Sequence, residues 1–264
     1  NGSRLFRVVL VRYDKDTKKE TGIQPFIPPA VGPEIKSFLP SIDYQSRITS
    51  GSGVVQYGDK IFSESLTLAD SAFFEMFSFP LIEGDKHTAL ADEHSIVFTR
   101  SLARKYFGKD PALGTVVKVS CGDRQKDYVL TGIADDVPSN STIQFDCIIH
   151  FNNLPDVIND PDILGNWTRW YCPLFVQLQQ QASAQQTETG MDQFCEQYLG
   201  SKRQDYIDSG YDPFTFGLQS VRSMRLDTRM AGNPGLLPSY LLSAIALAIL
   251  LTACFNFMNL SVGM

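Results

Sequence analysis

Hydrophobic and polar positions change rhythm several times along this chain, and each rhythm predicts an element. RLFRVVLVRY (4–13) alternates, with Phe6, Val8 and Leu10 on one face, which is the period-two pattern of a strand. PPAVGPEIKSFLP predicts a short helix that begins after Pro29 and stops before Pro40. SRITSGSGVVQYGDKIFSESLTL predicts strand, turn at Gly58 and Asp59, and strand. The chain therefore starts β-α-β.

Asp70 is placed to N-cap a short helix carrying Phe73, Phe74 and Phe77, which FPLIEGD ends. Thr99 is placed to cap a second helix, with Leu102/Tyr106 and Ala103/Phe107 four apart on one face and Gly108 and Pro111 closing it. Strands are predicted at GTVVKV, at KDYVLTGIA and at IQFDCIIHF, where Ile143, Phe145, Cys147, Ile149 and Phe151 alternate onto a core face. After the loop LPDVINDPDILGN and the Trp167 to Trp170 region come a strand at PLFVQLQ and a helix. The helix carries Met191, Phe194, Cys195, Tyr198 and Leu199 at helical spacing, and FTFGLQSV supplies a further strand. This second β-α-β unit makes the class α+β.

The last rhythm is an absence of polarity. No charged residue follows Arg229, and Leu236 to Leu260 is apolar over more than the ~20 residues needed to cross ~30 Å of hydrocarbon. Only Ser243 and Thr252 interrupt Leu241 to Phe255, too little for the polar stripe of a core helix, so the tail reads as a membrane span. At ~100° per residue, Ala248, Thr252, Asn256, Asn259 and Gly263 fall within roughly 80° of one another. Small and amide residues on one face of a span are expected to pack against other helices.

Composition narrows the partners. The chain has 264 residues, 43% of them hydrophobic, which is enough for a substantial core. A net charge of -6 without any Lys/Arg run excludes a nucleic-acid surface. Five scattered cysteines without a C-x-x-C spacing suggest neither a zinc site nor a dense disulfide framework.

Chemistry-bearing patterns are sparse. His87, His94 beside Asp92 and Glu93, and His150 on a strand with Asp146 have the character of solvated surface, and no catalytic, cofactor or metal residue is assigned. No nucleophile elbow, zincin helix or phosphate-binding loop occurs. Gly51 and Gly53 suggest a flexible hairpin entry. Phe73, Phe74, Phe77 and Phe79 read as core, whereas Trp167, Trp170 and Tyr171 are candidates for a surface contact as readily as for core.

Four runs, DSAFFEMFSFPLIEGD, IVFTRSLARKYFGKDPALGTVVKV, YVLTGIADDVPSNSTIQFDCIIHF and ILLTACFNFMNLSVG, resemble the extracytoplasmic core domain and second membrane helix of FtsX-like, MacB-type ABC transporter permeases. The resemblance implies a two-lobed α+β periplasmic core domain. A porter-like lobe of two β-α-β units (4–65 and 166–226) would bracket a central mixed lobe (66–165), followed by a transmembrane helix (237–264). It implies a fragment of a longer permease in the bacterial inner membrane, with most of the chain on the periplasmic side. The role implied is non-enzymatic: coupling cytosolic ATP hydrolysis to export or extraction of an antimicrobial peptide, a macrolide or a lipoprotein. The implied partners are an ABC ATPase subunit that holds the ATP, a second permease, a periplasmic adaptor and the lipid bilayer. A membrane-tethered sensor or ligand-binding domain between two spans is the alternative.

Overall fold

The computed structural model describes residues 2–108, 113–208, 210, 212–224, 226–230 and 235–262, with side chains in the last helix as far as Met258. Pro111, one of the expected helix terminators, lies outside the described residues. Strand β1 (Leu5–Tyr13) buries Val8 and Leu10 on the face that the alternation predicts, and it also buries Val9 and Val11 on the other. β2 (Glu20–Gln24) folds back on it antiparallel, an element that ETGIQ does not announce. α1 (Val31–Phe38) ends just before Pro40 and buries Val31 and Ile35 completely. β3 (Ile42–Tyr57) and β4 (Lys60–Ala69) form a hairpin turned by Gly58, whose φ of 57° suits a residue without a side chain.

The middle of the chain runs through α2 (Phe73–Met76), β5 (Leu81–Glu83), β6 (Ser95–Thr99), α3 (Arg100–Phe107), β7 (Val116–Cys121), β8 (Arg124–Ala134), β9 (Cys147–His150) and α4 (Leu154–Ile158). It then returns through β10 (Leu174–Leu178), α5 (Ala184–Asp208) and β11 (Phe214–Ser220) before α6 (Leu237–Val262).

In the first lobe the strand order is β11-β1-β10-β3, with every neighbour antiparallel. β10 lies between β1 and β3, and β1 lies between β10 and β11. The two β-α-β units therefore interleave, in the manner of a split, ferredoxin-like sheet. Helices α1 and α5 supply one shared core with Val8, Val176 and Phe216, and the stripe Met191, Phe194, Cys195 and Leu199 is buried against it as its spacing requires. Because Phe6 pairs with Ser220, the chain enters β1 and leaves β11 at the same end of the sheet.

The second lobe closes on itself. β3 pairs with β4, β4 with β9, β9 with β6, β6 with β8, β8 with β7, and β7 with the far end of β3. A closed ring leaves few open strand edges. Its interior is filled by Leu66, Phe98, Leu130 and Ile149, with Leu102 and Tyr106 of α3 packed in. Thr99 caps that helix as expected, accepting the Leu102 amide at 3.4 Å. Phe73, Phe74, Phe145 and Ile148 cover the outer face, so β6 and β9 are buried on both sides. That explains why SIVFT carries no alternation to read, while β9 occupies only four residues of the predicted 143–151 run. Gly51 and Gly53 are not a flexible entry. Both sit within β3, where a Cβ on Gly51 would collide with Val157 of α4 and one on Gly53 would come within 2.7 Å of Leu66.

The two lobes meet within β3. Arg47 is registered with Leu174 of β10 in the first sheet, and the next residue, Ile48, with Ala69 of β4 in the second. The boundary expected between 65 and 66 lies inside β4, so the β3-β4 hairpin belongs to the ring. On the way back, Leu164 and Tyr171 pack against the ring core while Trp167 and Trp170 pack against the first lobe. At the changeover the Arg47 amide turns to a side chain, donating to Asp70 Oδ2 at 2.7 Å. The guanidinium of Arg47 donates to both oxygens of the same carboxylate (2.9 and 2.6 Å) and to the Pro29 carbonyl (2.9 Å), and it lies 4.0 Å over the Phe151 ring. Asp70 therefore does not cap α2, which begins at an uncapped Ala72; its carboxylate is committed to Arg47.

Both side chains of the pair are under a tenth exposed. Removing one partner leaves the other as an uncompensated buried charge, at a cost of about 3–5 kcal/mol. Arg47→Met is expected to lower the stability of the domain by that amount, and Arg47→Met with Asp70→Asn, which is uncharged and keeps an oxygen for the residue 47 amide, by clearly less than the single change. Thermal unfolding followed by the emission of Trp167 and Trp170 measures both; a double variant no more stable than Arg47→Met contradicts this account of the pair.

Candidate functional site

The chain that leads from β11 toward the apolar helix is tied down as far as Met230. Beyond β11, the Met230 backbone forms a parallel bridge with Ile23 of β2, and the Ile23 amide donates to the Arg229 carbonyl at 3.1 Å. A row of polar side chains backs this bridge. Arg7, 7% exposed on β1, donates through Nε and Nη2 to Gln219 Oε1, the Nε bond measuring 3.0 Å. Gln219 donates to Asp227 Oδ2 (2.7 Å), and Arg229 grips both Asp227 oxygens (2.9 and 2.8 Å) while standing 3.5 Å from Glu20 of β2. Four stretches of chain, β1, β2, β11 and residues 227–230, are joined in this way immediately ahead of α6.

The sequence reading missed this clamp. Its signal is faint: RLDTR holds the last charges before a charge-free tail, and nothing in the spacing connects it to Arg7 some 220 residues earlier. The hydrogen bonds from Arg229, then from Gln219, hold the Asp227 carboxyl well below the usual carboxylate range, whereas burial pushes the Arg7 guanidinium down.

α6 carries the expected apolar character. Its 22 residues Leu237–Met258 contain no charge and would span ~33 Å at about 1.5 Å per residue. Every described side chain on it is exposed, which is unlike a core helix. Of the expected packing stripe, Ala248, Thr252 and Asn256 are described; the Asn259 side chain and Gly263 lie outside the described residues. The Thr252 hydroxyl donates to the Ala248 carbonyl at 2.8 Å, so its hydrogen bond is satisfied within the helix. Asn256, the remaining described member of the stripe, is exposed.

The other sequence candidates do not gather into one site. Trp167 stacks on Tyr198 (5.4 Å), Trp170 packs edge-on against Phe214 (5.2 Å), and Tyr171 lies against the ring core. All three are half-buried. His94 stands 3.3 Å from Asp92 on the surface, His87 contacts Glu75, and His150 accepts the Asn152 amide at 3.2 Å, far from exposed Asp146 in chemical role. Burial pulls the His150 pKa down. Among the described residues no three His, Cys, Asp or Glu side chains gather as a metal site. Phe73 and Phe74 are core, while Phe77 and Phe79 are only partly covered.

A carboxyl with a depressed folded pKa stabilises the fold at pH values above its unfolded pKa, and that contribution is lost as pH falls toward the folded value. Asp227→Asn is therefore expected to lower the melting temperature at neutral pH, and the difference from the parent should shrink as pH drops below about 4. Parallel melting curves that keep a constant separation down to about pH 2 would contradict the clamp.

The profile of the family described as MacB-like periplasmic core domain matches residues 2–194. No curated protein matches the chain. Among solved structures, a domain assigned to a permease of Porphyromonas gingivalis is similar at a TM-score of 0.65 and 23% identity, covering 82% of this chain and 89% of that one. The periplasmic region of MacB from Actinobacillus actinomycetemcomitans gives 0.49 and 13%, covering 84% and 91%. The extracellular domain of the noncanonic ABC-type transporter YknZ from Gram-positive bacteria gives 0.47 and 14%, covering 81% and 99%. With a family profile spanning well over half its length and the two-lobed architecture already described, the chain belongs to the family of MacB-like periplasmic core domains, the extracytoplasmic domain of ABC transporter permeases.

Proposed function

We propose that this chain is the part of a permease that relays motion between the membrane and the space outside it. α6 crosses the bacterial inner membrane and the two lobes stand on the periplasmic side. An ABC ATPase subunit on the cytoplasmic side binds and hydrolyses ATP, and this chain takes no part in that chemistry. The outcome is export or extraction of a substrate of the antimicrobial peptide, macrolide or lipoprotein class, by a permease dimer working with a periplasmic adaptor. The observation that supports the reading best is the clamp. A charge-free helix follows within a few residues of a segment bonded to β1 and β2, a short path by which displacement of the helix would reach the first lobe. The ring lobe follows because β3 belongs to both sheets.

Within the membrane, the stripe of Ala248, Thr252 and Asn256, continued by Asn259 and Gly263, is the proposed face toward neighbouring helices. Small residues let backbones approach closely, and a side-chain amide finds a partner on another helix at a gain of about 1 kcal/mol.

The test uses the full-length permease reconstituted with its ATPase. Inserting a flexible Gly-Ser hexapeptide after Met230 is expected to leave ATP hydrolysis in place and to abolish most substrate movement, and Asn256→Leu should reduce transport partially while membrane insertion stays intact. Transport at the parental rate in the insertion variant would contradict the relay.

A further inference from the structure

A cleft of about 470 Å³ opens where the two lobes meet, in the size range of small-molecule sites, ~300–1,000 Å³. Its walls come from distant parts of the chain. β1 contributes Arg7 and β10 Phe175; Phe77 and Phe79 follow α2 in the ring lobe; Met224 and Met230 lie beyond β11. Phe77 packs edge-on against Phe175 at 5.4 Å across the lobe boundary and lies 6.3 Å from Phe79, giving a continuous aromatic surface. The two methionines add flexible walls able to adjust to a chain of variable shape.

The charge on this lining is one-sided. No Asp or Glu is among the described lining residues, whereas two guanidinium groups are. Arg7 uses Nε and Nη2 on Gln219 and places Nη2 2.9 Å from the Met230 sulfur, and its Nη1 has no partner among the described residues. Arg222 is exposed and forms no ion pair among the described residues. Hydroxyl groups are few, and that of Ser141 is already donated to the Ile143 carbonyl at 2.8 Å. Such a site penalises a cation, offers little to a polar peptide backbone, and rewards an apolar body with an anionic end.

We propose that the cleft binds a single long aliphatic chain ending in an anionic head, a carboxylate or a phosphate monoester, with the chain along Phe77, Phe79 and Phe175 and the head on Arg7 and Arg222. The first lobe lies next to the segment leading to α6, so an amphiphile partitioned into the bilayer is the natural supply. The proposal stands on the cleft alone and does not depend on the transport reading, since it is tested without ATPase or turnover.

The experiment places the full chain in nanodiscs of phosphatidylcholine with a diazirine-bearing palmitate, irradiates, and maps the labelled peptides by mass spectrometry. Label is expected on peptides containing Phe77 to Phe79, Ser141 to Ile143 or Val221 to Met224. It should be displaced by palmitate or hexadecyl phosphate but not by hexadecanol or hexadecyltrimethylammonium, and the better of the two anions identifies the head group. Arg222→Glu alters an exposed side chain and is expected to reduce labelling about tenfold, the loss of one charge-assisted contact. Met224→Trp fills the cleft and should reduce it similarly in a protein whose melting temperature is unchanged. Equal displacement by hexadecanol, labelling confined to α6, or parental labelling in both variants would each overturn the proposal.

Discussion

A strand that changes sheets must find a partner for the amide at the changeover, and in this domain the partner is the Asp70 carboxylate. Arg47 closes the same contact with its guanidinium, so one buried ion pair secures both the backbone and the side chain at the point where β3 leaves the first sheet for the second. Much else follows from that constraint. With β3 held, β10 can pair with its first half and β4 with its second, and a closed ring is carried as an insertion on a ferredoxin-like sheet without a free linker on that side. The Pro29 carbonyl and the Phe151 ring bring α1 and the end of β9 to the same place, so elements of both lobes converge on one side chain. A buried pair of this kind contributes less to net stability than to fixing a unique arrangement, and here the arrangement fixed is that of the lobes.

The first sheet carries a second fixed point. There the chain enters β1 and leaves β11 side by side, and residues 227–230 are bonded back onto β1 and β2 before the apolar helix begins. The first lobe is thus held to the ring lobe at the changeover and to residues 227–230 beyond β11. Fixed points of this kind are what a mechanical relay requires, and Arg7 and Met230 also line the cleft between the lobes.

Much of this was legible in the sequence, for identifiable reasons. Elements with a local signal announced themselves: the Met191, Phe194, Cys195 and Leu199 stripe of α5, the Thr99 cap of α3, the Gly58 turn and the uninterrupted apolarity of α6. Burial on both faces hid one strand, although the equally buried Leu174–Leu178 was read. SIVFT has no alternation because core lies on either side, and the alternation over 143–151 runs past both ends of β9. Contacts between distant residues were also out of reach. Asp70 ahead of a helix is chemically a cap, and only the fold shows that Arg47 claims it; Gly51 and Gly53 suggest a loose loop until α4 and β7 are seen against them. The Arg7, Gln219, Asp227 and Arg229 row belongs to the same class, since its members are united only by the sheet.

The central claim is that β3 makes the two lobes one mechanical body. Native-state amide hydrogen exchange along β3 tests it most directly, because residues that open together share one free energy of opening. The hydrogen-bonded amides on either side of the Arg47 to Ile48 step are predicted to exchange with the same opening free energy and the same denaturant dependence, as one cooperative unit. Separate opening energies for the half paired with β10 and the half paired with β4 would show two bodies joined by a hinge, and would contradict the account.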